Sequence, residues 1–155
     1  MKIRPFRLSD LKPISRLERE AFGPHSFDTL SLLSYGIFSR GGFLVAEEDG
    51  QVAAHCITKR TGRNSWEIAS IAVRLEYRRR GIGTALLTEA FQLFRSRGGR
   101  EATLEVKVDN RDAQRLYERF GFSVKERLHG YYGPRHDGFL MVADLSESQT
   151  PKSPP

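Results

Sequence analysis

Arg78-Arg79-Arg80-Gly81-Ile82-Gly83-Thr84 brings together the residue types that hold a phosphate. Gly81 and Gly83 remove the Cβ atoms that would keep an anion from the backbone, and three adjacent arginines add charge and planar hydrogen-bonding forks. Such a cradle needs a strand leading in and a helix leading out. A β-like run, Trp66 to Val73, comes before it, and an amphipathic helix follows directly. The first N–H groups of that helix lack intrahelical partners and point at whatever anion docks there. The stretch is not a P-loop, since no Gly-Lys-Ser/Thr ends it. Nor is it a dinucleotide fingerprint, since the third glycine would fall at Leu86. Taken alone, the same residues fit equally a solvated basic turn with two loop glycines.

The periodicity defines the elements around the cradle. Leu86, Ala90, Leu93 and Leu87, Phe91, Phe94 recur at helical spacing, giving a wide apolar stripe that Gly98-Gly99 terminates. Thr103 to Val108 alternates, with Leu104, Val106 and Val108 on one face and Thr103, Glu105 and Lys107 on the other, as a strand does. Asn110 is positioned to cap a short helix whose face is Ala113, Leu116, Tyr117 and Phe120, and which ends at Gly121 before another apolar run. The order is strand, cradle, helix, strand, helix, strand.

Upstream, Ile3 to Leu8 reads as an edge strand. Ser9 or Asp10 then caps a helix with Leu11, Ile14, Leu17 and Ala21 on one face, and Phe22 to Phe27 breaks it. Asp28 caps a second helix through Leu30, Leu33 and Ile37. Phe43 to Glu47 turns at Asp49-Gly50 into a strand from Gln51 to Arg60. The stretch from Ser146 to Pro155 is polar and proline-rich without a period, as disordered tails are.

These features together resemble the GNAT superfamily of N-acetyltransferases. The resemblance rests on Arg78-x-x-Gly81-x-Gly83, Leu104-Glu105-Val106, Asn110, Leu116-Tyr117 and Phe120-Gly121-Phe122 in this order and spacing. Tyr131-Tyr132 followed by Asp137 and Met141 also matches the C-terminal hairpin of the ribosomal-protein-alanine and protein N-terminal acetyltransferases. The resemblance spans roughly Ile3 to Leu145. It implies an α/β (α+β) fold: a central mixed, mostly antiparallel twisted sheet flanked by helices, in a single domain over residues 1–145, with 146–155 as a tail.

It also implies roles. Acetyl transfer from a thioester to an amine needs a neutral amine, a donor for the developing oxyanion and a proton for the departing thiolate. By resemblance, Glu105 removes the amine proton, directly or through water, and the Tyr117 hydroxyl protonates the thiolate. The backbone of Ile71, Ala72 and Val73 binds pantetheine, and Arg78, Arg79, Arg80, Gly81, Ile82, Gly83 and Thr84 bind the CoA phosphates. Asn110 is a further CoA contact, and Tyr131 and Tyr132 line the acceptor groove. Each has an ordinary alternative: a solvated carboxylate paired with a Lys or Arg for Glu105, packing for the tyrosines, helix capping for Asn110. No residue need be acylated, so attack within a ternary complex is expected rather than ping-pong kinetics.

An α-amine, with pKa about 7.7 to 8.0, is roughly one-tenth neutral at pH 7, whereas a lysine amine near 10.4 is neutral in about one molecule in two thousand. A carboxylate base therefore suits an α-amine better, and a protein N-terminus, such as that of a ribosomal protein, is the expected acceptor. A lysine or small-molecule amine on the same fold remains the alternative. Two departures bear on the acceptor: Gly133-Pro134-Arg135-His136 replaces a more acidic stretch, and Phe22-Gly23-Pro24-His25 lacks the Pro-Trp pattern often found between the first helices.

Composition narrows the field. The chain has 155 residues and is 39% hydrophobic, enough for one core, and its apolar runs are too short to cross a bilayer. The expected location is cytoplasmic, with no membrane partner, as a monomer or homodimer. Cys56 is the only cysteine, which excludes an internal disulfide; it neighbours His55 in a strand, where adjacent residues face opposite ways and form no dyad. The four histidines lack ligand spacing, so no metal is expected. A net charge of +6 gives non-specific affinity for nucleic acid, but basic residues such as Arg111, Arg115 and Arg119 are interspersed with acidic ones and no RNA-binding motif is present. A non-catalytic ribosome- or RNA-binding protein is the competing class.

Overall fold

A computed structural model describes residues 1–146. Apart from Ser146, the tail expected from the sequence lies outside the described residues. In chain order the elements are β1 (Lys2–Pro5), α1 (Leu11–Phe22), α2 (Thr29–Phe38), β2 (Phe43–Glu48), β3 (Gln51–Arg60), β4 (Ser65–Val73), α3 (Ile82–Ser96), β5 (Glu101–Lys107), α4 (Arg111–Arg119), β6 (Ser123–Leu128) and β7 (Gly138–Asp144). Hydrogen bonding orders the strands β1-β2-β3-β4-β5-β7-β6 in a mixed seven-stranded sheet. Pairing is antiparallel for β1/β2, β2/β3, β5/β7 and β6/β7, and parallel for β4/β5. The chain forms two compact units, one of Met1–Lys59 with Ala69–Leu93, the other of Arg60–Ile68 with the chain from Phe94 onward. β4 and α3 each run through both.

In the first unit, Ile14, Leu32, Phe43, Val45, Val52 and Ile57 form a buried cluster. Phe6 stacks on Phe43 with ring centroids 4.6 Å apart. The β2–β3 hairpin turns at Asp49 (φ 51°) and Gly50 (φ 73°), the left-handed pair that a two-residue turn requires and that Asp-Gly favours. On α1, Ile14 and Leu17 are buried and Leu11 and Ala21 half-buried, as the spacing predicts.

Two expectations for this unit are corrected. β1 ends at Pro5, and Leu8–Asp10 winds into a 3-10 turn. Asp10 stands at the N-terminal cap position of α1, but its side chain makes no capping bond to that helix. The Asp10 carboxylate instead accepts from the Arg7 N–H at 2.7 Å and pairs with both terminal nitrogens of Arg4 at 2.8 and 2.9 Å, which pulls the chain out of the strand. On α2, Asp28 does cap, accepting from Ser31 N–H at 2.7 Å. The apolar face differs, however: Leu30 and Ile37 are 76% and 63% exposed, and Leu32 is buried. Gly36 decides this. A Cβ there would collide with the Phe6 ring, so the helix approaches the core along the face of Leu32, Tyr35 and Gly36, which hydropathy alone does not mark.

In the second unit, β5 alternates as expected, with Ala102, Leu104 and Val106 buried. β7 pairs along it from Glu101↔Asp144 to Lys107↔Gly138. Trp66 stacks on Phe94 at 4.9 Å. Asn110 caps α4, accepting from Ala113 N–H at 3.2 Å, and the helix ends at Gly121 (φ 85°) with Phe122 N–H returning to the Tyr117 carbonyl. Gln114, buried, donates to the Lys107 and Val108 carbonyls at 2.9 and 3.0 Å and ties α4 to the end of β5. The apolar run expected after Gly121 stops at Phe122. β6 is exposed through Arg127, a charged edge strand that resists pairing with other chains.

Candidate functional site

In the first unit the predicted cradle stands at the start of α3. Arg79 (φ 65°) and Gly81 (φ 78°) both take left-handed backbone, and open space surrounds the position a Gly81 Cβ would occupy. The helical ladder opens with Ala85 N–H donating to the Gly81 carbonyl at 3.0 Å, so the amides of Ile82, Gly83 and Thr84 precede it. Arg78 donates through Nε to the Val73 carbonyl at 3.1 Å, tying the loop to the end of β4, while the Arg80 guanidinium lies 5.3 Å from the Tyr77 ring centroid. Arg78, Arg79 and Arg80 are exposed. An exposed arginine loop running into a helix N-terminus fits the phosphates of a CoA-type ligand.

The second unit brings four groups together. Burial and then the negative charge of Glu67 hold the half-buried Glu105 carboxyl above its ordinary range. Among the described residues, no Lys or Arg forms an ion pair with it. Tyr131 is likewise shifted upward by burial, Glu105 and Glu67, and Tyr132 is pushed up to about 12 by burial, Tyr131 and Glu105. The two rings meet edge to face at 4.9 Å, and Lys107 Nζ stands 5.6 Å from the Tyr132 centroid.

The hairpin turn that carries these tyrosines is closed by Asp137. It accepts from Gly130 N–H at 2.8 Å and Arg127 Nε at 2.9 Å, with His129 Nδ1 at 3.4 Å. Tyr117 is buried on α4, edge-on to Phe122 at 5.9 Å.

Glu67 carries no motif in the sequence. Its position follows from register: it pairs with Thr103 in parallel, and Thr103 and Glu105 share a strand face. A partner on another strand leaves no local spacing signal. Cys56 is fully buried and its thiol is pushed up to about 12 by burial, which suits a structural residue and not a nucleophile. Among the described residues, no group of three His, Cys, Asp or Glu is arranged to hold a metal ion. A hollow of about 570 Å³ beside α1, lined by Leu8, Lys12, Ser15, Arg19 and Thr29 among others, contains none of the predicted site residues.

The Acetyltransferase (GNAT) family model matches residues 9–122, and the chain belongs to that family. It is 33% identical over 159 residues to an N-alpha-acetyltransferase of Sulfurisphaera tokodaii, covering 93% of each chain. It is 30% identical over 155 residues, 94% of this chain and 96% of the relative, to a Bacillus subtilis protein provisionally named ribosomal protein bS18-alanine N-acetyltransferase. The crystal structure of Ard1 from Thermoplasma volcanium matches with a TM-score of 0.89 at 25% identity, covering 94% of this chain and 98% of that one. The protein is thus an acetyl-CoA-dependent N-acetyltransferase.

Proposed function

We propose that the acceptor is the α-amine of a protein N-terminus, with a ribosomal protein among the candidates, and that residues 1–145 act as one acetyltransferase domain in the cytoplasm. The observation that carries this reading is Glu105: a half-buried carboxyl, in no ion pair with a Lys or Arg among the described residues, and held above its ordinary range near Glu67 and two tyrosines. Such a group binds an ammonium and takes its proton, and an α-amine gives that proton up more readily than a lysine does. The names of the Sulfurisphaera and Bacillus relatives support the same class of acceptor.

Acetyl-CoA supplies the acetyl group as a thioester. Arg78 to Thr84 hold its phosphates, the backbone of Ile71 to Val73 orients its arm, and Asn110 adds a contact beyond its capping bond. Glu105 receives the proton lost by the amine as the N–C bond forms. Tyr117 donates its phenolic proton to the sulfur as the C–S bond breaks. No protein group becomes acylated. Tyr131 and Tyr132 flank the incoming peptide.

The test is acetyl-CoA turnover, followed by thiol release and mass spectrometry, against peptides with free N-termini, N-blocked lysine peptides and small amines. Acetylation confined to peptide α-amines is expected. Preference for lysine or a small amine would keep the chemistry and replace the acceptor class.

A further inference from the structure

Residues 60–66 and 94–100 carry five arginines and no aspartate or glutamate. Folding joins these two stretches at one end of the second unit. Ser65 and Glu101 pair in parallel, and the Asn64 carbonyl accepts from the Arg100 and Glu101 N–H groups at 2.8 and 3.2 Å. Trp66, 3% exposed, lies beneath the Arg60 and Arg97 guanidiniums, each 5.9 Å from its ring centroid. Its Nε1–H is buried without a hydrogen-bond partner, so the ring adds a further donor and no acceptor. Arg60 also donates to the Gly62 and Arg63 carbonyls at 3.1 and 2.6 Å, which shapes the β3–β4 turn. Gly99 fixes the other stretch: a Cβ there would lie 2.7 Å from the Phe94 carbonyl oxygen and 3.0 Å from the Trp66 ring.

Arg60, Arg63, Arg97 and Arg100 are exposed. Among the described residues, no Asp or Glu pairs with Arg60, Arg63 or Arg100. The bordering carboxylates, Glu101 and Asp144, stand opposite each other on β5 and β7, and Asp144 already accepts from Ser146. Nothing in the proposed acetyl transfer uses these arginines, and like charges gathered this closely repel one another. A polyanion relieves that repulsion, and planar guanidinium forks match successive phosphates better than ammonium groups do. Arg100 precedes β5 and Glu105 lies on it, about 16 Å further along the strand. An extended peptide of about five residues spans that distance.

We propose that Arg60, Arg63, Arg97 and Arg100 form a docking surface for the phosphate backbone of RNA, which holds the enzyme beside the body from which the acceptor N-terminus projects. The choice of RNA rests on the proposed acceptor class, since a ribosomal protein presents its N-terminus against ribosomal RNA.

The test titrates a fluorescein-labelled RNA hairpin by anisotropy at stepped salt. Contacts from these arginines predict a slope of log affinity against log salt of about −3 to −4. Arg63→Gln/Arg100→Gln should raise the hairpin Kd at least tenfold and lessen the slope by about two. Its Tm should match the wild type, and its turnover of a short peptide should stay within about twofold. Arg63→Lys/Arg100→Lys keeps the charge and should restore the slope. Arg115→Gln/Lys125→Gln removes the same charge elsewhere on the unit and should change Kd by no more than about threefold. The wild type should cosediment with purified ribosomes at low salt, and Arg63→Gln/Arg100→Gln should not.

An equal loss in Arg115→Gln/Lys125→Gln would reduce the effect to net charge and overturn the inference. Competition by polyglutamate as strong as that by unlabelled RNA would also overturn it. Turnover of peptide α-amines without RNA binding would overturn this inference alone. RNA binding with turnover of small amines only would support the surface and overturn the N-terminal reading.

Discussion

Glu105 illustrates how one residue's environment sets its chemistry. Because burial and Glu67 raise its pKa, the carboxylate is a stronger base than an ordinary surface glutamate, and it is protonated and idle at a higher pH. Turnover should fall as pH drops through that raised value. Glu105→Gln should lower turnover by about a hundredfold, abolish the acidic limb of the pH profile and leave acetyl-CoA affinity unchanged. The same substitution should raise Tm at neutral pH, because the folded state disfavours the ionised form that it removes. Equal turnover at every pH would remove Glu105 from the mechanism. The residue was visible in the sequence through the pattern around Leu104-Glu105-Val106, whereas Glu67 was not, since its nearness depends on a parallel register between distant segments. The buried contact of Glu18 with His55 and Ser70 was invisible for the same reason.

At the level of elements, turn chemistry and capping were the most legible features. Asp49-Gly50, Asp28, Asn110 and Gly121 each act within a few residues of themselves, and each occupies the expected place. The start of α3 follows the same logic. Gly81→Trp should raise the acetyl-CoA Kd by at least tenfold, both by filling open space at the cradle and by straining a left-handed backbone position; calorimetry measures it. The buried face of α2 differs from the one hydropathy marks, because its contact is made through the absence of a side chain at Gly36. Leu32→Ala should destabilise by about 2 to 5 kcal/mol in urea unfolding, and Leu30→Ala by no more than about 0.5 kcal/mol. The reverse order would restore the face read from hydropathy.

For the whole molecule, the net charge of +6 matters less than where individual charges are buried. Asp10 and Glu18 both have carboxyls lowered in the fold: burial opposes this in each case, but Arg4 outweighs it at Asp10, and His55 and Ser70 outweigh it at Glu18. A depressed folded pKa gives stability that is complete above the unfolded value and lost as pH falls through the folded one. Their ordinary values are 3.8 and 4.5, so Tm should drop steeply below about pH 4. Asp10→Asn should lower Tm at pH 7 and flatten that drop; an unchanged acid limb would mean that other carboxylates govern it. The sequence by itself determined the family, most of the helix and strand succession, the junction of loop and helix at Gly81 and the β2–β3 turn, because these depend on residues near one another in the chain. Tertiary structure alone decided which helix face is buried, that the Asp10 side chain serves Arg4 and the Arg7 amide and not the start of α1, that Glu67 stands near Glu105, and that Glu18 accepts from the Phe27 N–H. Those outcomes turn on burial and on partners far apart in sequence, and neither leaves a local trace.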